Sequence, residues 1–556
     1  MVGKEGMGTM EQWIGGLVEE WRRTNGYVSS IPAFQHSSIP AFQHSALLPG
    51  AIMPRRNIVV LLCDQLRPDF LPMYGGEAIA TPSLDRLASL GVVFDGAITQ
   101  STVCAPARAS MMTGRHVSDH GVWTNDVPFR EGLEYVAERM NGLGYRTGAF
   151  GKLHHFPADD AKGFQVVYQM EEGRLGQQEP YLRWLSRRHP EVKRVWNATD
   201  MTFAFAEDEY YEHWIADRAI DFMAGTSDAP FLAWVSFQGP HGPFDPPPEA
   251  KGTCNPSKLP PTLHREYDER IPETVRYRHC RETWGDNPDL IRARRIAYAE
   301  MIVCIDRQIG RILGALDASG EFDNTTFLFS ADHGDMLQDF GLTAKGPFPY
   351  RGQLDIPLVV ANHPRLEAGT RSSQLAGNID LPGTLLDIAG SERSIGISRS
   401  LLDLAQPDPE HPRKAILSEF CDSVRTIQDQ RWRYSHYPFE DEAELYDREN
   451  DPDELHNLAG NPDFADVELR MLKHLVDYAV VNKGPRVEAH DFGPRKQQGL
   501  LAKSPNALYA WPVAFPLSAA ERKRLLAAGL DANYNEFCRS LPILRSYGKP
   551  YWEDEE

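Results

Sequence analysis

The chain has 556 residues, 42% hydrophobic and 24% charged, which is long enough for a large buried core and ordinary for a globular protein. A formal net charge of −20 argues against a general nucleic-acid binder and means that an anionic substrate needs a locally basic pocket. The seven cysteines, Cys63, Cys104, Cys254, Cys280, Cys304, Cys421 and Cys538, are scattered and free of C-x-x-C pairs, so neither a disulfide framework nor a zinc knuckle is expected and a reducing compartment suits them.

The first ten residues mix acidic side chains with glycine instead of the apolar stretch of a signal peptide, and no apolar run approaches a membrane span. A cytoplasmic location without a membrane partner is the expectation. Residues 29–36 and 37–44 are the same octapeptide, S-S-I-P-A-F-Q-H, in tandem. Two such short units do not make a repeat fold, and residues 1–52 read as a poorly constrained leader. The continuous apolar run Asn57–Cys63 predicts a buried parallel strand. Helical patterns around 83–91, 133–142, 209–224 and 290–318 alternate with strand-like runs at 147–150, 230–237, 325–331 and 355–361. That alternation predicts an α/β fold with a large, mostly parallel sheet sandwiched by helices, over residues 53–410. No G-x-G-x-x-G follows the first strand, which excludes the dinucleotide-binding version of such a fold. Further on, Lys414–Phe420, Trp432–Tyr437 and Glu444–Asp447 read as short strands and 465–480 as a helix, predicting a smaller C-terminal α+β subdomain over 411–483. The tail 484–556, with one helical pattern near 518–528, is long for a loop and is expected to seal the site or to wrap a neighbour in a homo-oligomer.

Residues that carry chemistry fall just after strand-like runs, at the sheet edge where α/β folds collect their sites. Asp64-Gln65 ends the first strand, and Asp332-His333-Gly334 ends the run at 325–331. Either pair alone is an ordinary turn, but together they offer oxygen and nitrogen donors for one divalent cation. Basic residues follow the same rule: Gly151-Lys152-Leu153-His154, Pro240-His241-Gly242-Pro243-Phe244, and Lys345 twelve residues beyond His333. A single lysine is usually a solvated charge and a single histidine usually structural. Cations converging from separate strand ends suit transfer of a sulfuryl or phosphoryl group. Finally, Cys104-Ala105-Pro106-Ala107-Arg108 followed by Thr113-Gly114-Arg115 has the form C-x-P-x-R…T-G-R; its bland reading is a buried cysteine near a helix start.

Taken together, these residues resemble the type I sulfatases of the alkaline-phosphatase-like superfamily, from about Asn57 to about Leu458. The likeness includes Glu444-Leu445-Tyr446-Asp447 with Asn450-Asp451-Pro452, which is similar to the E-L-Y-D-x-x-x-D-P element of that family. The resemblance implies that a maturation enzyme oxidises Cys104 to formylglycine, whose hydrate attacks sulfur to give a covalent sulfo-enzyme. It implies that Asp64, Gln65, Asp332 and His333, with residue 104, hold one divalent metal, and that Arg108 and Lys152 hold the hydrate. Asp332 would help deprotonate the attacking hydroxyl. His241 or Lys345 would protonate the leaving alcohol, and His154 would take the proton from the second hydroxyl as sulfate departs. Asp-Gln and Asp-His replace the Asp-Asp and Asp-Asn of many sulfatases, making a softer, less anionic site that favours Mn²⁺ over Ca²⁺. The same combination resembles the phosphonate monoester hydrolases, whereas G-K-x-H is typical of true sulfatases. The expected function is hydrolysis of a small organic sulfate monoester, with phosphonate monoester or phosphodiester hydrolysis by the same nucleophile as the alternative. A phosphodiesterase or phosphomutase with an unmodified nucleophile would need serine or threonine in place of Cys104, and a binding module that had lost its chemistry would not keep the whole set. The aromatic and arginine-rich stretches 163–215 and 245–290 are expected to set specificity.

Overall fold

Asn57–Asp64 forms β1, and every residue of it is buried. Successive strand side chains point to opposite faces, so both faces of the sheet are covered at this point, as the unbroken apolar run requires. The computed structural model describes residues 55–481 apart from 192–200, 226, 267–270, 277–286, 392, 411 and 422. The octapeptide leader, the tail 484–556 and its helical pattern near 518–528 lie outside the described residues, as does part of each stretch expected to set specificity.

The other strands of the larger sheet are β2 (Gly91–Ile98), β3 (Arg146–Gly151), β4 (Val166–Gln169), β5 (Phe231–Pro240), β6 (Thr325–Ala331), β7 (Leu358–Ala361) and β8 (Thr370–Gly377). Their spatial order is β4-β3-β5-β1-β6-β7-β2-β8. All neighbours are parallel except β7, which runs antiparallel to β6 and β2. The reversal has a local cause: the chain leaves β6 at its carboxyl edge, crosses that edge through residues 332–355, and enters β7 from the same side. Helices α1 (Pro82–Ser89), α2 (Cys104–Thr113), α3 (Val136–Gly142), α4 (Tyr211–Met223) and α5 (Pro288–Ser319) supply the flanking layers, with α4 and α5 packed on each other and on β5. The sheet is large and mostly parallel, as the alternation of patterns predicts.

A second, antiparallel sheet follows, built from β9 (Ile416–Phe420), β10 (Val424–Gln428), β11 (Trp432–Tyr437) and β12 (Glu442–Asp447) in the order β12-β11-β10-β9. Helix α6 (Ala465–Val481) packs on β10 and β11. Among the described residues no helix is long and apolar enough to cross a membrane.

Candidate active site

The register of β1 on β6 pairs Cys63 with Ala331, which brings Asp64 and Asp332 side by side at the carboxyl edge. Gln65 turns sharply there, with φ 68°, and its backbone N–H donates to Asp332 Oδ1 at 2.9 Å; the N–H of His333 donates to the same oxygen at 2.9 Å. Gly334 is required by space, since a Cβ at that position would lie 2.0 Å from the carbonyl oxygen of Gly352. His333 Nδ1 lies 2.7 Å from its neighbour's carbonyl at Gly334. A carbonyl only accepts, so Nδ1 carries the proton and Nε2 is left with its lone pair aimed at Cys104 Sγ, 3.2 Å away.

Cys104 is the first residue of α2 and Arg108 stands one turn later, so their side chains share a helix face. The thiol is fully buried, 2.6 Å from Lys345 Nζ and 3.7 Å from Asp64 Oδ1, and burial followed by the Asp64 charge pushes its pKa up. Lys345 Nζ also donates to Gln65 Oε1 at 3.0 Å. Arg108 binds both acids, Asp332 at 2.8 Å and Asp64 at 3.2 Å, and donates to the Lys152 carbonyl at 2.6 Å and to Ser236 Oγ at 2.7 Å.

The G-K-x-H element ends β3. Gly151 has φ 93° and a Cβ there would sit 2.0 Å from the Ser236 carbonyl oxygen, so only glycine lets β3 close onto β5 before the chain turns into the site. Lys152 Nζ is buried 2.7 Å from Asp64 and 3.2 Å from Glu172. Burial opposes ionisation of Asp64, but Lys152, then His241, Lys345 and Arg108, outweigh it and hold this carboxyl well below the usual range. His154, at φ 55°, is buried with no partner for either ring nitrogen among the described residues, and burial followed by Arg174 and Lys152 drives it well toward the neutral form. His241, after β5, is more open at 22% side-chain exposure.

The structure therefore brings Asp64, Gln65, Cys104, Arg108, Lys152, Asp332, His333 and Lys345 into one contact network, with His241 linked to it through Glu172. His154 lies on the same loop, its backbone N–H held by Glu171 at 3.0 Å. Ligand atoms of Asp64, Cys104, Asp332 and His333 all lie within 4.8 Å of one another and all four residues are buried. Two carboxylates, a neutral imidazole with its free lone pair turned inward and a sulfur position make a donor set that fits one divalent cation. Sequence reasoning missed Glu171 and Glu172, which follow the four-residue edge strand β4. It also missed Asp335, which accepts from Gln65 Nε2, and Asn378, which donates to the Asp332 carbonyl at 2.8 Å. An unrecognised strand end at Val166–Gln169 was the available signal for the first two. None of the site side chains lines the cavity of about 560 Å³ between Leu259, Arg265, Arg292 and Phe340.

An edge-mounted cluster of metal donors, a cysteine opening a helix and a ring of buried cations on this sheet define the alkaline-phosphatase-like class. A sulfatase family model matches residues 56–391, and a model of the N-sulphoglucosamine sulphohydrolase C-terminal region matches residues 340–480. The chain belongs to the sulfatase family and is an enzyme of that class. It is 28% identical to the arylsulfatase of Clostridium perfringens over 73% of this chain and 91% of that protein. It is 27% identical to the multifunctional alkaline phosphatase superfamily protein PehA of Trinickia caryophylli, over 74% of this chain and 93% of that protein. The phosphonate monoester hydrolase of Agrobacterium radiobacter shares its fold with a TM-score of 0.70 at 26% identity, covering 77% of this chain and 96% of that one.

Proposed function

We propose that this enzyme hydrolyses a small organic sulfate monoester, in the cytoplasm, with residue 104 matured to formylglycine and one divalent cation, Mn²⁺ in preference to Ca²⁺. The observation that carries the choice of sulfate is the G-K-x-H loop: a buried Lys152 ion-paired to Asp64 and a buried, neutral, unpartnered His154. Asp64, Gln65, Asp332, His333 and residue 104 would hold the cation, which when bound supplies Lewis-acid polarisation of an ester oxygen. The aldehyde of formylglycine supplies, as its hydrate, one hydroxyl to attack sulfur and a second through which sulfate is released.

The remaining chemistry belongs to the side chains. Lys345 and Lys152 bring positive charge to the reacting oxygens inside a dry site, where it counts most. Arg108 fixes Asp64 and Asp332 in place, and Asp332 is the acceptor for the attacking hydroxyl's proton. His154, kept neutral by its surroundings, is ready to take a proton during release. His241, at the open side, is the donor for the leaving alcohol. Among the described residues Cys63, Cys104, Cys254 and Cys304 form no disulfide, in keeping with a reducing compartment. A formylglycine-generating maturation enzyme is the required partner, and self-association through residues 484–556 belongs to the same reading.

A second reading, phosphonate monoester hydrolysis, is favoured by the Asp-Gln and Asp-His donors and by the likeness to the Agrobacterium enzyme. The deciding measurement is kcat/KM for 4-nitrophenyl sulfate and for a 4-nitrophenyl phosphonate monoester side by side. The protein is co-expressed with a maturation enzyme, and conversion of Cys104 is read by peptide mass. The sulfate is expected to lead by about tenfold or more, with activity lost on chelation and restored by Mn²⁺. A lead of that size for the phosphonate moves the enzyme to the second reading.

A further inference from the structure

Glu172 reaches the site from an unfavourable backbone. After β4 the N–H of Arg174 donates to the Glu171 carbonyl at 3.1 Å, closing a turn whose central residues, Glu172 and Gly173, have φ of 54° and 85°. Glycine, asparagine and aspartate are the residues that such a mirror-image turn prefers, so glutamate here is strained. The turn is held from outside. Glu171 accepts from the N–H groups of Leu153 at 2.6 Å and His154 at 3.0 Å, and Glu179 accepts from that of Gly173 at 2.6 Å. Strain maintained by surrounding contacts points to a task for the side chain.

That side chain joins two elements of the site. Its Oε2 lies 3.2 Å from Lys152 Nζ and 3.4 Å from Arg174, while Oε1 lies 3.2 Å from His241 Nδ1 and accepts from Gln238 Nε2. His241 Nδ1 also faces the Gly242 carbonyl at 2.6 Å. Two acceptors on one nitrogen keep a proton there, which leaves Nε2 as the ring atom without a protein partner among the described residues. Lys345 is engaged with Cys104 at the attacking side, and His241 is the more exposed of the two, on the side open to a departing alcohol.

We propose that Glu172 is the positioning residue of His241. It fixes the ring through Nδ1–H and supplies the counter-charge of the imidazolium, the reacting form, so that Nε2–H is presented to the leaving oxygen of the ester; this rests on the sulfate-ester reading above. As the attacking oxygen bonds to sulfur and the bond from sulfur to the leaving oxygen breaks, the bonding pair stays on that oxygen. The Nε2 proton moves to it, releasing a neutral alcohol and leaving a neutral imidazole whose Nδ1–H stays on Glu172 and Gly242.

The test is leaving-group dependence in the matured, metal-loaded, full-length enzyme, using a series from 4-nitrophenyl sulfate to phenyl sulfate. Phenoxide needs the proton far more than 4-nitrophenoxide does. Glu172→Gln is therefore expected to lose about 10²-fold more kcat on phenyl sulfate than on 4-nitrophenyl sulfate. His241→Ala should show the same slope, and the double variant should add nothing further. Glu172→Gly suits a φ of 54° and must reproduce the slope with no lower melting temperature than Glu172→Gln, which separates the role from a folding defect. Equal loss across the series, or additive losses in the double variant, overturns the assignment. If the wild type cleaves phosphonate esters instead, the sulfate reading fails, and the same slopes with aryl phosphonates judge Glu172 independently.

Discussion

Two buried arginines, each set between two acids, do different work in this molecule. Arg433 of β11 is fully buried and pairs with Asp355 and Glu454, while Gln428 Oε1 takes two more of its hydrogens at 2.9 and 2.6 Å. Its acids are themselves closed off, Asp355 by Arg448 at 3.1 Å and Glu454 by the N–H of Arg351 at 2.7 Å. Arg108 is as deeply buried and binds Asp64 and Asp332, yet those acids also face a thiol, an imidazole with a free lone pair and Lys345. Burial and ion pairing are common to both clusters. What separates them is convergence: the bonds around Arg433 are used up within the protein, and around Arg108 several donor atoms point at one small volume.

The difference is broken most sharply at Cys104. Replacing it with alanine removes the atom on which the cluster converges and little packing, so turnover should fall by about 10⁴-fold or more. The melting temperature should not fall. Initial rates on 4-nitrophenyl sulfate alongside thermal melts check this, and retained turnover would sink the formylglycine proposal.

The opposite result is expected at Arg433. Arg433→Met leaves the buried Glu454 and the half-buried Asp355 with part of their compensation gone, at a cost of about 3 kcal/mol. Urea unfolding should show a shifted midpoint with the slope unchanged. The surviving folded protein should keep its kcat within about threefold. A proportionate loss of kcat would mean that the second sheet reaches the chemistry through Asp355 and the 332–355 crossing.

The sequence makes one of these clusters legible and hides the other, for a physical reason. Asp64, Asp332, Lys152 and His241 sit immediately after apolar runs, so the strand pattern itself announces the edge at which they meet. Arg433, Asp355 and Glu454 belong to three separate elements, and nothing in their spacing marks a common contact. The same holds for Glu172, which follows an edge strand of four residues with little apolar content. β2 was missed because Asp95-Gly96 interrupts its apolar run, and the ladder there shifts register between Phe94 and Gly96. β8 was missed because its first half is polar and partly exposed at the sheet edge. β10, Val424–Gln428, was missed because its two aliphatic residues, Val424 and Ile427, stand three apart and so break the alternation that marks a strand. The helices at 209–224 and 290–318 came out within about two residues, since long periodic segments are the most readable.

The smallest effect concerns a buried group in neither cluster. His116 is buried, its ring edge-on to Tyr478 at 5.3 Å, with no hydrogen-bond partner for either nitrogen among the described residues. Burial, then Arg413, lowers its pKa to about 3. In the unfolded chain the ring titrates near ~6.5, so below that pH the unfolded state binds a proton that the native state refuses. The stability contributed by the neutral ring is therefore complete above pH ~6.5. It declines by about 1.4 kcal/mol per pH unit as pH falls toward the folded value. His120 and His155, also lowered to about 3 by burial, add slopes of the same sign. His116→Phe keeps an aromatic ring against Tyr478 and removes one of these titrations. Urea unfolding at pH 4.5 and 6 should give a stability slope shallower than wild type by about 1.4 kcal/mol per unit. An unchanged slope would mean that His116 is charged in the folded protein, held by Asp380 and Asp119, and would make it part of a second closed ion cluster like that of Arg433.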